Sequence, residues 1–185
     1  MQDEIAEYLL EDIKGEFKKE LSIDVIKPRP ILAKVREALF SSLGDRVVDA
    51  NFLDLYAGTG RCGIEALKRG AKFAVFVEKN RVTQERLRIA IRELGFEEKA
   101  RVLNRDVFSA IRQLKEQFDI IFLGPPYKDF LVNKTVEAIA LADILNSGGI
   151  IIAEHHKKEA VEDTIGSFVR VKEKRYGETT LSFYV

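Results

Sequence analysis

Phe52-Leu53-Asp54-Leu55-Tyr56-Ala57-Gly58-Thr59-Gly60-Arg61-Cys62-Gly63 is an apolar run that halts at a glycine-rich turn and passes into helical periodicity. Strand, glycine turn and helix in that order mark a βα unit of an open, mostly parallel sheet. Glycines at such a turn accept positive φ and let backbone approach a ligand, and the helix N-terminus offers unpaired N–H donors. Downstream, short apolar runs keep alternating with helical stretches. Strands are predicted at 52–56, 73–77, 100–103, 119–123 and 149–153, with helices over 63–69, 82–94, 108–116 and 131–141. After His156 the pattern predicts a polar helix and then an antiparallel hairpin, 168–171 with 179–185, around Tyr176-Gly177. The expected fold class is therefore α/β and Rossmann-like: a seven-stranded, mostly parallel sheet with an antiparallel C-terminal hairpin.

Upstream of the turn, Ile5, Leu9, Ile13, Phe17 and Leu21 recur every fourth residue, which predicts an amphipathic helix. The two prolines of Lys27-Pro28-Arg29-Pro30 force an extended link, and a second helix fits 31–43. The chain reads as an N-terminal helical extension, residues 1–28, followed by one catalytic-type domain, residues 29–185. Its 185 residues, 46% of them hydrophobic, suffice for one core. The 30 basic residues balance 30 acidic ones, so attraction for nucleic acid must come from a local patch, for which Lys27, Arg29, Lys34 and Arg36 are candidates. Cys62 is the single cysteine and reads as structural; His155 and His156 are adjacent on a strand, point to opposite faces and read as surface residues. No His/Cys spacing suits a metal, and no secretory or membrane-spanning run is evident, so a cytoplasmic, monomeric protein is expected.

Two nucleotide-type ligands share this strand-turn-helix arithmetic. Glu78 falls at the end of the second strand, about 20 residues past the turn, where a carboxylate can accept from both ribose hydroxyls. Asp54 lies ahead of the glycines, and a carboxylate there suits the cationic amino group of a methionine moiety and repels a pyrophosphate. S-adenosyl-L-methionine is thus favoured over a dinucleotide. Its expected site comprises Asp54, Ala57, Gly58, Thr59, Gly60, Gly63, Glu78, Lys79, Asp106 and Val107. Asp106 can accept from an adenine amino group or cap the following helix, and the two roles are compatible.

The fourth strand ends in Gly124-Pro125-Pro126-Tyr127, the predicted catalytic segment. Paired prolines hold the backbone extended at the carboxyl edge of the sheet, where open α/β sheets bind ligands. An exocyclic amine of a base is a poor nucleophile, and a hydrogen-bond acceptor on its N–H groups next to an aromatic face lets it attack a methyl group in line.

The Pro-Pro-Tyr turn resembles the Asp/Asn-Pro-Pro-Tyr/Phe motif of methyltransferases acting on base amines. Arg29-Pro30, Val35-Arg36-Glu37-Ala38-Leu39-Phe40, Asp54 through Gly60, Gly63-Ile64-Glu65-Ala66-Leu67, Ile152-Ala153-Glu154-His155 and Lys174 through Tyr184 together resemble the RsmD-type small-subunit (16S) ribosomal RNA guanine-N2 methyltransferases. That resemblance implies a class I methyltransferase domain, a ribosomal RNA or small-subunit assembly intermediate as partner, and substrate contacts by Arg29, Arg36 and Tyr127. It also implies that the first proline, here Pro125, supplies its carbonyl, that the aromatic, here Tyr127, stacks on the base, and that the first motif residue supplies a side-chain oxygen. Here that residue is Gly124, which has none. A water or a carboxylate such as Asp129 could substitute; otherwise the chain is a natural variant with slow or redirected chemistry, a cofactor- and RNA-binding relative that does not catalyse, or a chain altered at this residue. Methylation of adenine or cytosine amines in DNA is the other chemistry open to the motif. Two further departures are Ile31-Leu32-Ala33-Lys34 in place of a Thr-x-Asp and an acidic helix in place of a basic hairpin.

Overall fold

The computed structural model describes residues 33–185, so the helix expected over 1–21, the proline-rich link and Arg29 lie outside the described residues. The elements are α1 (Ala33–Leu43), β1 (Asn51–Leu55), α2 (Arg61–Lys68), β2 (Phe73–Val77), α3 (Arg81–Glu93), β3 (Ala100–Leu103), α4 (Val107–Gln113), β4 (Phe118–Leu123), α5 (Val132–Ala142), β5 (Leu145–His156), β6 (Thr164–Ile165), β7 (Phe168–Tyr176) and β8 (Thr179–Tyr184). The sheet order is β3-β2-β1-β4-β5-β8-β7-β6. The first five strands are parallel, and β8 inserts antiparallel between β5 and β7.

Alternating side chains of the central strands build one core on each face. Phe52, Phe76, Ile120, Phe122, Ile152 and Phe183 face α1, α2 and α3; Leu53, Leu55, Val77, Ile121, Leu123 and Ile151 face α4 and α5. Burial on both faces explains why these strands read as unbroken apolar runs.

Strand register decides what the carboxyl edge displays. Leu103, Val77, Leu55, Leu123 and Ala153 lie abreast across β3, β2, β1, β4 and β5. The residues that follow four of them, Glu78, Tyr56, Gly124 and Glu154, therefore emerge side by side at the point where strand order reverses, where a doubly wound sheet opens a ligand crevice.

Three expectations need correction. The sheet has eight strands, because Thr164–Ile165 adds a two-residue edge to β7. No helix forms between His156 and β6; that segment is tied instead to the start of α5, where Glu159 Oε1 accepts from Val132 N (3.2 Å) and Asn133 Nδ2 donates to Ala160 O (3.2 Å). The hairpin is longer than expected, with β7 reaching Tyr176 and the chain reversing through Gly177 at φ 61°, the turn position at which a tight hairpin takes glycine.

Candidate active site

The turn between β1 and α2 is held from three sides. Tyr56 enters it with φ 63°, a left-handed conformation uncommon for a non-glycine residue. Ala57 N donates to Val77 O (2.9 Å), and Gly58 N donates to Glu78 Oε2 (2.9 Å). Glu78 Oε1 accepts from Asn80 N (2.7 Å), so the carboxylate sits fixed beside the turn at the end of β2. Asn104, at the end of β3, donates to Lys79 O (3.2 Å) and braces the same corner.

The three glycines of the turn have different reasons. A Cβ on Gly58 would meet only Tyr56 O, at 4.0 Å, so bare backbone faces open space there. Gly60 has φ 76°, and a Cβ would lie 2.2 Å from Leu87 Cδ1; on Gly63 it would lie 2.2 Å from Phe76 Cε1. Gly60 and Gly63 thus let α2 pack on the sheet. Gly63→Ala is expected to lower unfolding free energy by about 1–3 kcal/mol through overpacking against the Phe76 ring, read as a lower denaturant midpoint. A midpoint equal to that of the unaltered protein would refute the packing role.

Asp54 is 1% exposed and lies beneath this turn, where its Oδ2 accepts from Gly63 N (2.8 Å). Burial, opposed by that hydrogen bond and reinforced by the charges of Glu78 and Glu154, pushes its carboxyl up to about 7. Asp106 caps α4, its Oδ1 accepting from Phe108 N (3.0 Å) and Ser109 N (3.3 Å), and its exposed carboxylate stays at the crevice rim beside buried Val107. Ala57 and Thr59 are half-buried along the turn and Lys79 is exposed. Arg36 on α1 is close enough for its charge to be felt at Cys62, and burial pushes that thiol far up, leaving it inert as expected of a structural cysteine.

On the other side of the crevice, Pro125 is buried, Pro126 exposed and Tyr127 half-buried. The Tyr127 hydroxyl donates to Glu154 Oε1 (2.9 Å) and lies 2.9 Å from Thr179 Oγ1. His156 packs edge-on against the Tyr127 ring, with centroids 5.6 Å apart and planes at 62°. Glu178 joins His156 (3.1 Å) and Lys157 (2.6 Å) at the rim. A Cβ at position 124 would have as its nearest neighbours Phe122 Cε1 at 3.5 Å, Glu154 Oε2 at 3.6 Å and Phe122 Cζ at 3.6 Å, all ordinary contacts. Position 124 accepts a Cβ without strain, so its glycine is not imposed by the backbone there.

The two histidines depart from their surface reading. His155 is 3% exposed, its Nε2 bonded to Ser182 Oγ (2.9 Å) and its Nδ1 to His156 O (3.1 Å), and burial lowers its basicity. Sequence periodicity could not show this, because the ring's partner Ser182 belongs to β8, which pairs beside β5 from the far end of the chain. Among the described residues no cluster of His, Cys, Asp and Glu is arranged to hold a metal ion. The contacts of Glu154 and Thr179 with Tyr127 were likewise invisible in sequence: they cross 27 and 52 residues of chain.

A carboxylate-lined glycine turn and a Pro-Pro-Tyr turn facing each other across the switch point of this sheet define a class I methyltransferase. The family described as conserved hypothetical protein 95 matches residues 13–185. Ribosomal RNA small subunit methyltransferase D of Escherichia coli (strain K12) is 30% identical over 158 residues, 84% of this chain and 78% of that protein. YlbH of Bacillus subtilis (strain 168) is 31% identical over 159 residues, 84% of this chain and 86% of YlbH. A conserved hypothetical protein of Streptococcus pyogenes of solved structure superposes with TM-score 0.77 at 34% identity, covering 81% of this chain and 94% of that one. The chain belongs to the conserved hypothetical protein 95 family, that of the RsmD-type methyltransferases.

Proposed function

We propose that this protein transfers the methyl group of S-adenosyl-L-methionine to guanine N2 of small-subunit ribosomal RNA, acting as a cytoplasmic monomer on the RNA or an assembly intermediate. The observation that carries the reading is the meeting of two sites at Glu154. Its carboxylate touches Tyr127 of the substrate turn and is felt electrostatically by Asp54 beneath the cofactor turn.

The residues fit the cofactor's chemistry. Asp54, Glu78 and Glu154 concentrate negative charge around the turn, which suits a ligand bearing an ammonium and a sulfonium and disfavours a pyrophosphate. Glu78 stands where ribose hydroxyls can donate to it, and Asp106 and the Val107 backbone border the place for adenine. Gly58 leaves the methionine end room against bare backbone. When bound, the cofactor supplies an electrophilic methyl group. Tyr127 offers a ring for stacking a flipped-out guanine, Pro125 directs its carbonyl at the amine, and Arg29 and Arg36 hold phosphate or carboxylate. Phe130, 58% exposed at φ 48° just past the motif, is a second aromatic available to an unpaired base. Residues 29–185 would form the methyltransferase domain, with 1–28 as an added helical element.

The relationship to methyltransferase D supports ribosomal RNA over DNA. Gly124 favours one other reading, a protein that binds cofactor and RNA without catalysis. Labelled S-adenosylmethionine separates them: the expected result is label in N2-methylguanine of 16S RNA from small-subunit particles. Label in DNA adenine or cytosine and none in RNA would overturn the proposal.

A further inference from the structure

A methyltransferase of base amines needs an acceptor at the amine, and the residue that would carry it here is Gly124. We propose that Glu154 is that acceptor: its Oε2 reaches across from β5 to within 3.6 Å of where a Cβ at position 124 would stand. This inference rests on the amine-methylation reading above.

The geometry follows from strand pairing. Leu123 of β4 is in register with Ala153 of β5, so Gly124 and Glu154 leave the sheet as neighbours. Glu154 Oε2 would lie 3.6 Å from a Cβ at position 124, among its nearest neighbours together with the Phe122 ring. A carboxyl oxygen borne by the neighbouring strand therefore lies in van der Waals contact with the place from which an Asp at 124 would project its own. Asp129, the other candidate, is exposed beyond the turn, where its backbone N donates to Pro126 O (3.0 Å).

The orientation of the carboxylate is held by a short relay. Tyr127 gives its one hydroxyl proton to Glu154 Oε1, so Thr179 is the donor in its 2.9 Å contact with the Tyr127 oxygen. Thr179 is 1% exposed and fixed in β8, paired with His156 of β5. The relay directs Oε1 at the tyrosine, and Oε2 is the oxygen beside position 124. The same tyrosine that stacks the base thus sets the acceptor beside it.

In the transfer, the N2 lone pair forms the new nitrogen–carbon bond while the carbon–sulfur bond breaks and its electron pair stays on sulfur. The nitrogen then releases one proton. Glu154 Oε2 accepts the N–H hydrogen bond as charge develops on nitrogen, takes that proton and returns it to solvent. The products are N2-methylguanine and neutral S-adenosylhomocysteine.

The test compares single-turnover methyl transfer to small-subunit particles by the unaltered protein, Glu154→Ala, Glu154→Gln, Tyr127→Phe, Gly124→Asp and Gly124→Asp/Glu154→Ala, with cofactor binding by calorimetry confirming that each is folded. Glu154→Ala is expected to transfer methyl about a hundredfold more slowly, and the double variant to regain at least about tenfold of that loss by moving the carboxylate to position 124. Glu154→Gln, which keeps the shape and loses the base, should lose nearly as much rate as Glu154→Ala. Tyr127→Phe should lose less than Glu154→Ala. Equal losses in those two would assign Glu154 to positioning Tyr127 alone and overturn the proposal, as would an undiminished rate in Glu154→Ala. An inactive unaltered protein with an active Gly124→Asp would also overturn it while leaving the amine-methylation reading intact. Inactivity of both, with cofactor bound, would bring down that reading itself.

Discussion

Glu78→Ala is expected to weaken S-adenosylmethionine binding by at least about a hundredfold, because two charge-assisted hydrogen bonds from ribose hydroxyls, each contributing about 1.5–3 kcal/mol, are lost together. The side chain also organises the protein before any ligand arrives. Its two oxygens accept from Gly58 N at 2.9 Å and Asn80 N at 2.7 Å, joining the glycine turn to the start of α3. Truncation removes an acceptor from both donors, so the turn loosens as well. Glu78→Gln separates these contributions, since it retains one oxygen and can still hold Gly58 or Asn80 while lacking the charge. Calorimetric titration should rank the affinities unaltered protein, Gln, Ala in descending order, with a smaller fall in unfolding free energy in the same order. A Glu78→Ala protein that binds cofactor as tightly as the unaltered one would remove the carboxylate from the site and reopen the assignment of the turn.

Why this corner of the molecule was readable from sequence, and the opposite wall only in part, follows from how each is built. The corner proposed for the cofactor is local. Asp54, Gly58, Gly60 and Gly63 lie within one βα unit, and Glu78 ends the next strand, so a periodicity argument orders them correctly along one edge. The parallel core was legible for the same reason, because strands buried on both faces leave continuous apolar runs at regular spacing. The wall proposed for the substrate is completed by β8, which enters between β5 and β7 from the far end of the chain. That insertion buries His155 and brings Thr179 to Tyr127, while the register of β4 with β5 sets Glu154 beside position 124. The segment after His156 misled for a related reason. Its charges and spacing suit a helix, but Glu159 and Asn133 bind it to α5, and tertiary hydrogen bonds override a weak local preference.

Asp54→Asn is expected to make the ligand-free protein more stable at pH 8 and to weaken its hold on the cofactor. In the unfolded chain this carboxyl has its ordinary value of 3.8, and in the fold burial raises it to about 7. At pH below 3.8 the group is protonated in both states. As pH rises towards 7 the unfolded chain releases the proton while the folded protein retains it, so stability falls across that interval and levels off above it. A rise of about three pH units corresponds to about 4 kcal/mol of lost stability, an upper bound for one group. The amide that replaces the carboxyl does not ionise and can still accept from Gly63 N, so the variant should show none of this decline. The denaturant midpoint of the unaltered protein relative to Asp54→Asn should therefore drop between about pH 5 and pH 8. A cationic ligand above the turn reverses the balance, because its ammonium favours the ionised carboxylate and draws the proton off. Binding to the unaltered protein near pH 7 should then release protons, detectable as a calorimetric heat that varies with the ionisation enthalpy of the buffer, and Asp54→Asn should abolish most of that variation. The affinity deficit of the variant should likewise be larger at about pH 8 than at about pH 6. Parallel pH dependence of stability in the two proteins would show that Asp54 is already ionised in the fold, and the link between the buried carboxylate and a cationic cofactor would fail with it.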